Sequence, residues 1–223
     1  MPTVEMPIGD GELISSTEAG EMIDNFSTPN FFYELSNADL ITFIEKIETE
    51  FPSEVIPVGN SLGLRFYVGK PSALDDFEIV AVPVVGPDRD SITGLRDHSL
   101  DLEETFFGNN HVDFFALRIS TGNIIDLTTA APLIAVKDTL VVDPDPSTKL
   151  ATQLVYFSLA ALKGFSDSLV EDTIKVYLSR IAAGDCLSIV LEGKNTAFVY
   201  FDKSDLVPPP PRSGSSLIDD TSF

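Results

Sequence analysis

Residues 62–68 and the stretch before them follow two different periods, and no single regular architecture accommodates both. Leu62, Leu64, Phe66 and Val68 alternate with Gly63, Arg65 and Tyr67. A period of two places alternate side chains on opposite faces of a strand. Earlier in the chain the apolar residues recur every three or four positions: Ala19, Met22, Ile23 and Phe26, then Leu40, Ile41, Ile44, Ile47 and Phe51. That spacing lines one side of a helix. The chain must therefore join amphipathic helices to strands. The expected fold class is α+β, with antiparallel β-hairpins packed against several helices, four in the reading that follows.

Local signals place the boundaries. Ser15 with Glu18, and Ser36 with Asp39, are capping pairs that open helices, and Pro29 and Pro52 close them. Phe77 to Val85 is rich in β-branched residues and completes a hairpin, with Pro83 pointing to an edge position or a strand end. Val112–Ile119 and Ile124–Leu127 flank Thr121-Gly122-Asn123 as a second hairpin, and Leu133–Val136 and Thr139–Val142 are short strands. Asp145-Pro146 opens a third helix that runs to about Lys163, with Gly164 as its stop. Ser168 with Glu171 caps a fourth, whose buried face is Leu169, Val170, Ile174, Tyr177, Leu178 and Ile181. These two helices are expected to be the most buried. Cys186–Leu191 and Ala197–Phe201 form a last hairpin. The organisation is then a flexible segment 1–14, a helix–helix–hairpin unit 15–85, an acidic loop 86–110, a hairpin plus a second helix–helix–hairpin unit over 111–203, and a Pro-rich tail 204–223 without fixed structure. The recurrence raises a duplicated unit, although the two copies share no evident residue identity.

Charge narrows the partners. Lys+Arg number 14 against 35 Asp+Glu, a net charge of -21. Such a chain repels phosphate backbones and anionic lipid, so the expected partner is a protein with a basic surface, not nucleic acid or membrane. A single cysteine, Cys186, allows no intrachain disulfide and suits a reducing compartment. The start Met-Pro-Thr-Val-Glu lacks the basic and apolar regions of a secretory leader, and the longest apolar run, 150–162, is too short for a membrane span. A cytoplasmic protein is expected.

Several motifs invite chemistry. Gly59-Asn60-Ser61-Leu62-Gly63 has the form of a nucleophile elbow, and Asp88, Asp90 or Asp97 with His98 or His111 would complete a triad in the order of α/β-hydrolases. The elbow needs a helix after the serine, whereas Leu64-Arg65-Phe66-Tyr67-Val68 reads as a strand. Leu140 to Asp145 resembles the opening motif of haloacid-dehalogenase-type phosphatases, but Pro146 stands where that turn wants glycine. Asp88 to Gly94 has alternating oxygens, yet Thr93 and Ser99 occupy the glycine and glutamate places of an EF-hand. His98 and His111 lack helical ligand spacing, and Cys186 follows Asp185, which disfavours a thiolate. No cofactor and no metal are expected. The leading expectation is a non-enzymatic interaction, scaffold or assembly component. Its binding loop would carry Asp88, Asp90, Asp97, Asp101, Phe106 and Phe107, with Ile8, Leu13 and Ile14 at one end and Leu217-Ile218-Asp219-Asp220 at the other as terminal docking segments. A serine hydrolase using Ser61 is the alternative, and an acidic nucleic-acid mimic the third.

Ala19-Gly20-Glu21-Met22-Ile23-Asp24-Asn25-Phe26, the helix over 36–51 and Gly63-Leu64-Arg65-Phe66-Tyr67-Val68-Gly69-Lys70 together resemble small uncharacterised proteins common in Bacteroidetes. The resemblance covers residues 15–85. It implies a strand at Gly63–Lys70 and carries no activity, cofactor or site.

Overall fold

The computed structural model describes residues 11–26, 31–52, 60–69, 77–87, 100–101, 115–134, 154–180, 187–195, 198–202 and 205–206. In chain order the elements are β1 (Glu12–Ile14), α1 (Ser16–Asp24), β2 (Phe32–Ser36), α2 (Asn37–Glu50), β3 (Asn60–Gly69), β4 (Glu78–Pro87), β5 (Leu100–Asp101) and β6 (Ala116–Arg118). There follow β7 (Asn123–Ile125), α3 (Leu127–Ile134), β8 (Leu154–Ser158), α4 (Leu159–Ser168), β9 (Thr173–Arg180), β10 (Leu187–Lys194), β11 (Phe198–Asp202) and β12 (Asp205–Leu206). One antiparallel sheet runs β1-β11-β10-β9-β2, and a second runs β12-β8-β3-β4-β6-β7 with β5 also on β4. The fold is α+β, as the two periods in the sequence require.

The strand order contains a repeat. The first copy is β1-α1-β2-α2-β3-β4-β6 and the second is β7-α3-β8-α4-β9-β10-β11. In each sheet a three-stranded meander from one copy is flanked by two strands from the other. β2 pairs with β9, and β8 pairs with β3; β1 pairs with β11, and β7 pairs with β6. The copies have exchanged strands within one chain. The register fixes which residues correspond. Ser36 stands opposite Thr173 and Ser158 opposite Gly63, each serine ending a strand and capping the next helix. Tyr67 faces Val80 as Tyr177 faces Val190.

Aligned this way, identical and chemically similar residues coincide. Ser36-x-Ala38-x-Leu40-x-x-Phe43 matches Ser158-x-Ala160-x-Leu162-x-x-Phe165. Leu64-Arg65-Phe66-Tyr67-Val68 matches Ile174-Lys175-Val176-Tyr177-Leu178, and Ile79-Val80 matches Ile189-Val190. Ile14, Thr17, Ala19 and Ile23 match Ile125, Thr128, Ala130 and Ile134. Both helix-buried alanines, Ala19 and Ala130, are 0% exposed, where a larger side chain would hold the helix off its sheet.

One core joins the copies. Leu35, Phe43, Ile44 and Ile47 from β2 and α2 pack with Leu64, Phe66, Phe157, Leu162 and Phe165, and with Ile174, Val176 and Leu178. A buried polar contact crosses between the central helices: Ser166 Oγ donates to Asn37 Oδ1 at 2.5 Å, and Asn37 Nδ2 donates to the Ser166 carbonyl at 3.2 Å. The far face of the first sheet is closed by α1, whose Ala19, Met22 and Ile23 pack with Ile14 of β1 on Tyr177 and Val190. The far face of the second is closed by α3, through Ala130 and Leu133 near Tyr67, Val80 and Tyr156.

The structure corrects several expectations. The repeated unit is strand–helix–strand–helix–meander, not helix–helix–hairpin. Residues 154–158, expected to be helical, form β8, and the helix is α4, with Gly164 inside it and not at its end. The expected fourth helix is β9. Ile174, Val176 and Leu178 face the core while Tyr177 is buried under α1, so apolar residues occur at both parities and imitate a helical stripe. Leu127, Leu133 and Ile134 belong to α3, where short strands were expected. Glu12–Ile14 is a paired strand, not a loose end, because Ile14 reaches the core under α1. Asp205–Leu206 pairs with β8, inside the expected tail. Leu100–Asp101 pairs with β4, inside the expected loop. β4 is interior, although it holds Pro83. β6 pairs at Val80–Ala81 and β5 at Val84–Val85, and Pro83 falls in the gap between them, where its missing N–H costs no pair on that edge.

Candidate functional site

The hydrolase elbow lacks its frame. Ser61 lies within β3 opposite Gly86, and the chain continues as strand to Gly69. Next to it, Gly63 is required for packing: a Cβ there would overlap the ring of Tyr156, which crosses it from β8. His98 and His111 lie outside the described residues, as do Asp88, Asp90, Asp97, Phe106 and Phe107. Of the proposed binding loop only Asp101 is described, opposite Val84. Ile8, Cys186, the stretch Leu140–Asp145 and residues 217–220 also lie outside. Among the described residues no three His, Cys, Asp or Glu side chains are grouped to hold a metal. No described helix is long and apolar enough to cross a membrane.

The structure instead draws together two related polar clusters that the sequence reading passed over. In β9, Lys175 sits within 3.0 Å of Glu192 on β10, and Tyr177 donates to the same carboxylate at 3.4 Å. Lys175 also lies 5.2 Å from the ring of Phe32. At the matching place in β3, Arg65 is fully buried, its guanidinium 3.2 Å from the Tyr67 hydroxyl. Val82 replaces Glu192 there, and Tyr156 replaces Glu34. The shared signal was a cation followed two residues later by tyrosine, Arg65-x-Tyr67 and Lys175-x-Tyr177. Reading the second as part of a helix hid the correspondence.

The Lys175 cluster holds its protons tightly. The Glu192 carboxylate, by its hydrogen bond and charge, pushes Lys175 above its ordinary value. Burial, and then the charge of Glu192, push Tyr177 and Tyr200 upward. A folded-state value above the unfolded one means that the stabilisation is complete below the unfolded value, near 10 for these groups, and is lost as pH rises through the folded values. Melting temperature is therefore expected to fall steeply above about pH 10, with the Tyr177 and Tyr200 phenolates titrating later than free tyrosine at 295 nm. A flat stability profile to high pH, or phenolate formation at the free-tyrosine value, would contradict this arrangement.

Outside the core, four cations are held by carboxylates of the chain. Lys46 pairs with Glu50 at 3.3 Å, Lys163 with Glu48 at 2.8 Å, and Lys194 with Glu171. Arg118 pairs with Glu78, which also accepts from Ser120 Oγ at 2.9 Å. Glu21, Asp24, Glu34, Glu45 and Asp167 are exposed and form no ion pair among the described residues. No known protein family, curated protein or solved structure matches the chain.

Proposed function

We propose that the chain is a non-enzymatic interaction protein, a scaffold or assembly component, that engages a partner through that partner's basic surface. The observation that supports this is the one-sided ion pairing: Lys46, Arg118, Lys163, Lys175 and Lys194 are each held by a carboxylate of the chain, while the exposed Glu21, Glu34 and Glu45 form no ion pair among the described residues. With a net charge of -21 the excess is large. Such a surface speeds encounter with a cationic partner and repels nucleic acid and anionic membrane. The proposed compartment is the cytoplasm.

The test is affinity purification from the source cells with wild type and with two neutralised variants. One carries amides at Glu21, Asp24, Glu34 and Glu45, and the other at Asp88, Asp90, Asp97 and Asp101. The proposal expects a specific protein retained by wild type, released in about 1 M salt, where the screening length falls to ~3 Å, and lost from at least one variant of unchanged circular dichroism. Identical partner lists would overturn it. So would a serine-directed fluorophosphonate label on wild type that disappears in Ser61→Ala.

A further inference from the structure

β2 and β8 are the same strand of the two copies, and they differ in one respect. Each has one edge on the other copy's meander: β2 on β9 and β8 on β3. The second edge of β8 is closed by β12, with Asp205 opposite Tyr156 and Leu206 opposite Val155. The second edge of β2 pairs with no strand among the described residues. Tyr33 and Glu34 occupy the places of Val155 and Tyr156 there.

The alternation of the ladder sets which backbone amides face that edge. Asn37 N–H donates to the Asp172 carbonyl at 2.7 Å. In an antiparallel ladder the bonded pairs alternate, so Leu35 and Tyr33 point their amides at β9. Phe32 and Glu34 then turn theirs outward. The side chain of Glu34 is exposed, and Lys175 opposite it is already held by Glu192 at 3.0 Å.

We propose that the outer edge of β2 accepts an extended segment of a partner protein, as β8 accepts β12, with a lysine or arginine of that segment set beside Glu34. This rests on the reading of the chain as a binder of basic protein. Charge selects the occupant. A carboxylate set against Glu34 would be a like-charge cross-strand pair, which destabilises, whereas a lysine or arginine there stabilises. Open strand edges are established sites for strand addition.

The probe is a short soluble peptide of alternating threonine and valine with a central lysine and lysine ends. The readouts are fluorescence anisotropy and amide exchange on the full chain. The proposal expects the peptide to slow exchange at Phe32 and Glu34 selectively, and an N-methylated peptide not to do so. Glu34→Lys should weaken binding about tenfold, the shift from an attractive to a repulsive cross-strand pair. A peptide with central glutamate should recover most of that loss on the Glu34→Lys chain. Protection only at β1 or β7, or an unchanged affinity in Glu34→Lys, would overturn the site while leaving the basic-partner reading intact. If deleting residues 207–223 alone speeds exchange at Phe32 and Glu34, the chain's own tail is the occupant and the proposal fails.

Discussion

Deleting Thr121 and Gly122 is expected to turn the chain into a stable dimer of twice its 24.2 kDa mass, with little change in circular dichroism. These residues form the turn between β6 and β7, where the first copy ends and the second begins. The turn is tight. The N–H groups of Gly122 and Thr121 both donate to the Arg118 carbonyl, at 2.9 and 3.3 Å. Gly122 has φ +68, and a Cβ there would run into the Asp39 carboxylate. Neither feature survives shortening. The copies cannot fold apart, because each meander needs the other copy's strands on both of its edges. A chain that cannot reverse at this point can satisfy every pairing only with a second chain, the usual result of shortening a hinge between exchanged elements. Light scattering gives the mass. Inserting a few glycines in the same turn should leave the monomer. A shortened chain that stays monomeric with native spectra would contradict the exchange.

Truncating Phe43 and Phe165 to alanine should cost about the same, about 3–5 kcal/mol each. The two phenylalanines sit seven residues past the equivalent capping serines Ser36 and Ser158, and they are 0% and 1% exposed in the shared core. Phe43 further meets Phe115 edge-on at 5.8 Å. Such a loss moves a urea midpoint by about 1–2 M for a chain of this size. Exposed Glu45→Ala, two residues from Phe43 on the outer side of α2, should change stability by less than about 0.5 kcal/mol. A large cost at one phenylalanine and none at the other would mean that the copies do not share one core.

Parts of this architecture were readable from the sequence for definite physical reasons. α1 and α2 each have one buried face, a serine cap and a stop, so their period stands out. β3 alternates by residue type and β4 is rich in β-branched residues, so both could be recognised, and the strand after Ser61 removed the elbow's context. The second copy was misread because β9 is covered on both faces, by the core and by α1, and a strand buried on both faces loses its alternation. A duplicated unit was legible in the sequence, but its true boundaries and residue correspondence were not, for the same reason. Matching Ser36 with Ser158 and Tyr67 with Tyr177 requires different shifts along the chain, since the stretch from capping serine to hairpin is longer in the first copy. β2 and β8 are five residues each and gain their stability from partners in the other copy, so no local pattern announces them. The significance of Glu34 depends on which strand edge it occupies, and pairing is a property of the folded chain alone.

The exchange between copies, on which both the core and the β2 edge depend, can be tested by one covalent bond. Glu34 and Lys175 face each other in a pair without mutual hydrogen bonds across β2 and β9. Such pairs bring their Cα atoms to about 4.5 Å, within disulfide range. In a Cys186→Ser background, Glu34→Cys with Lys175→Cys should oxidise to an intrachain disulfide. The product would be a monomer of raised gel mobility that reverts on reduction, with an unfolding midpoint above that of the reduced form. Failure to cross-link under native conditions, or bonding only between chains, would contradict the exchange of β2 onto the second copy's meander.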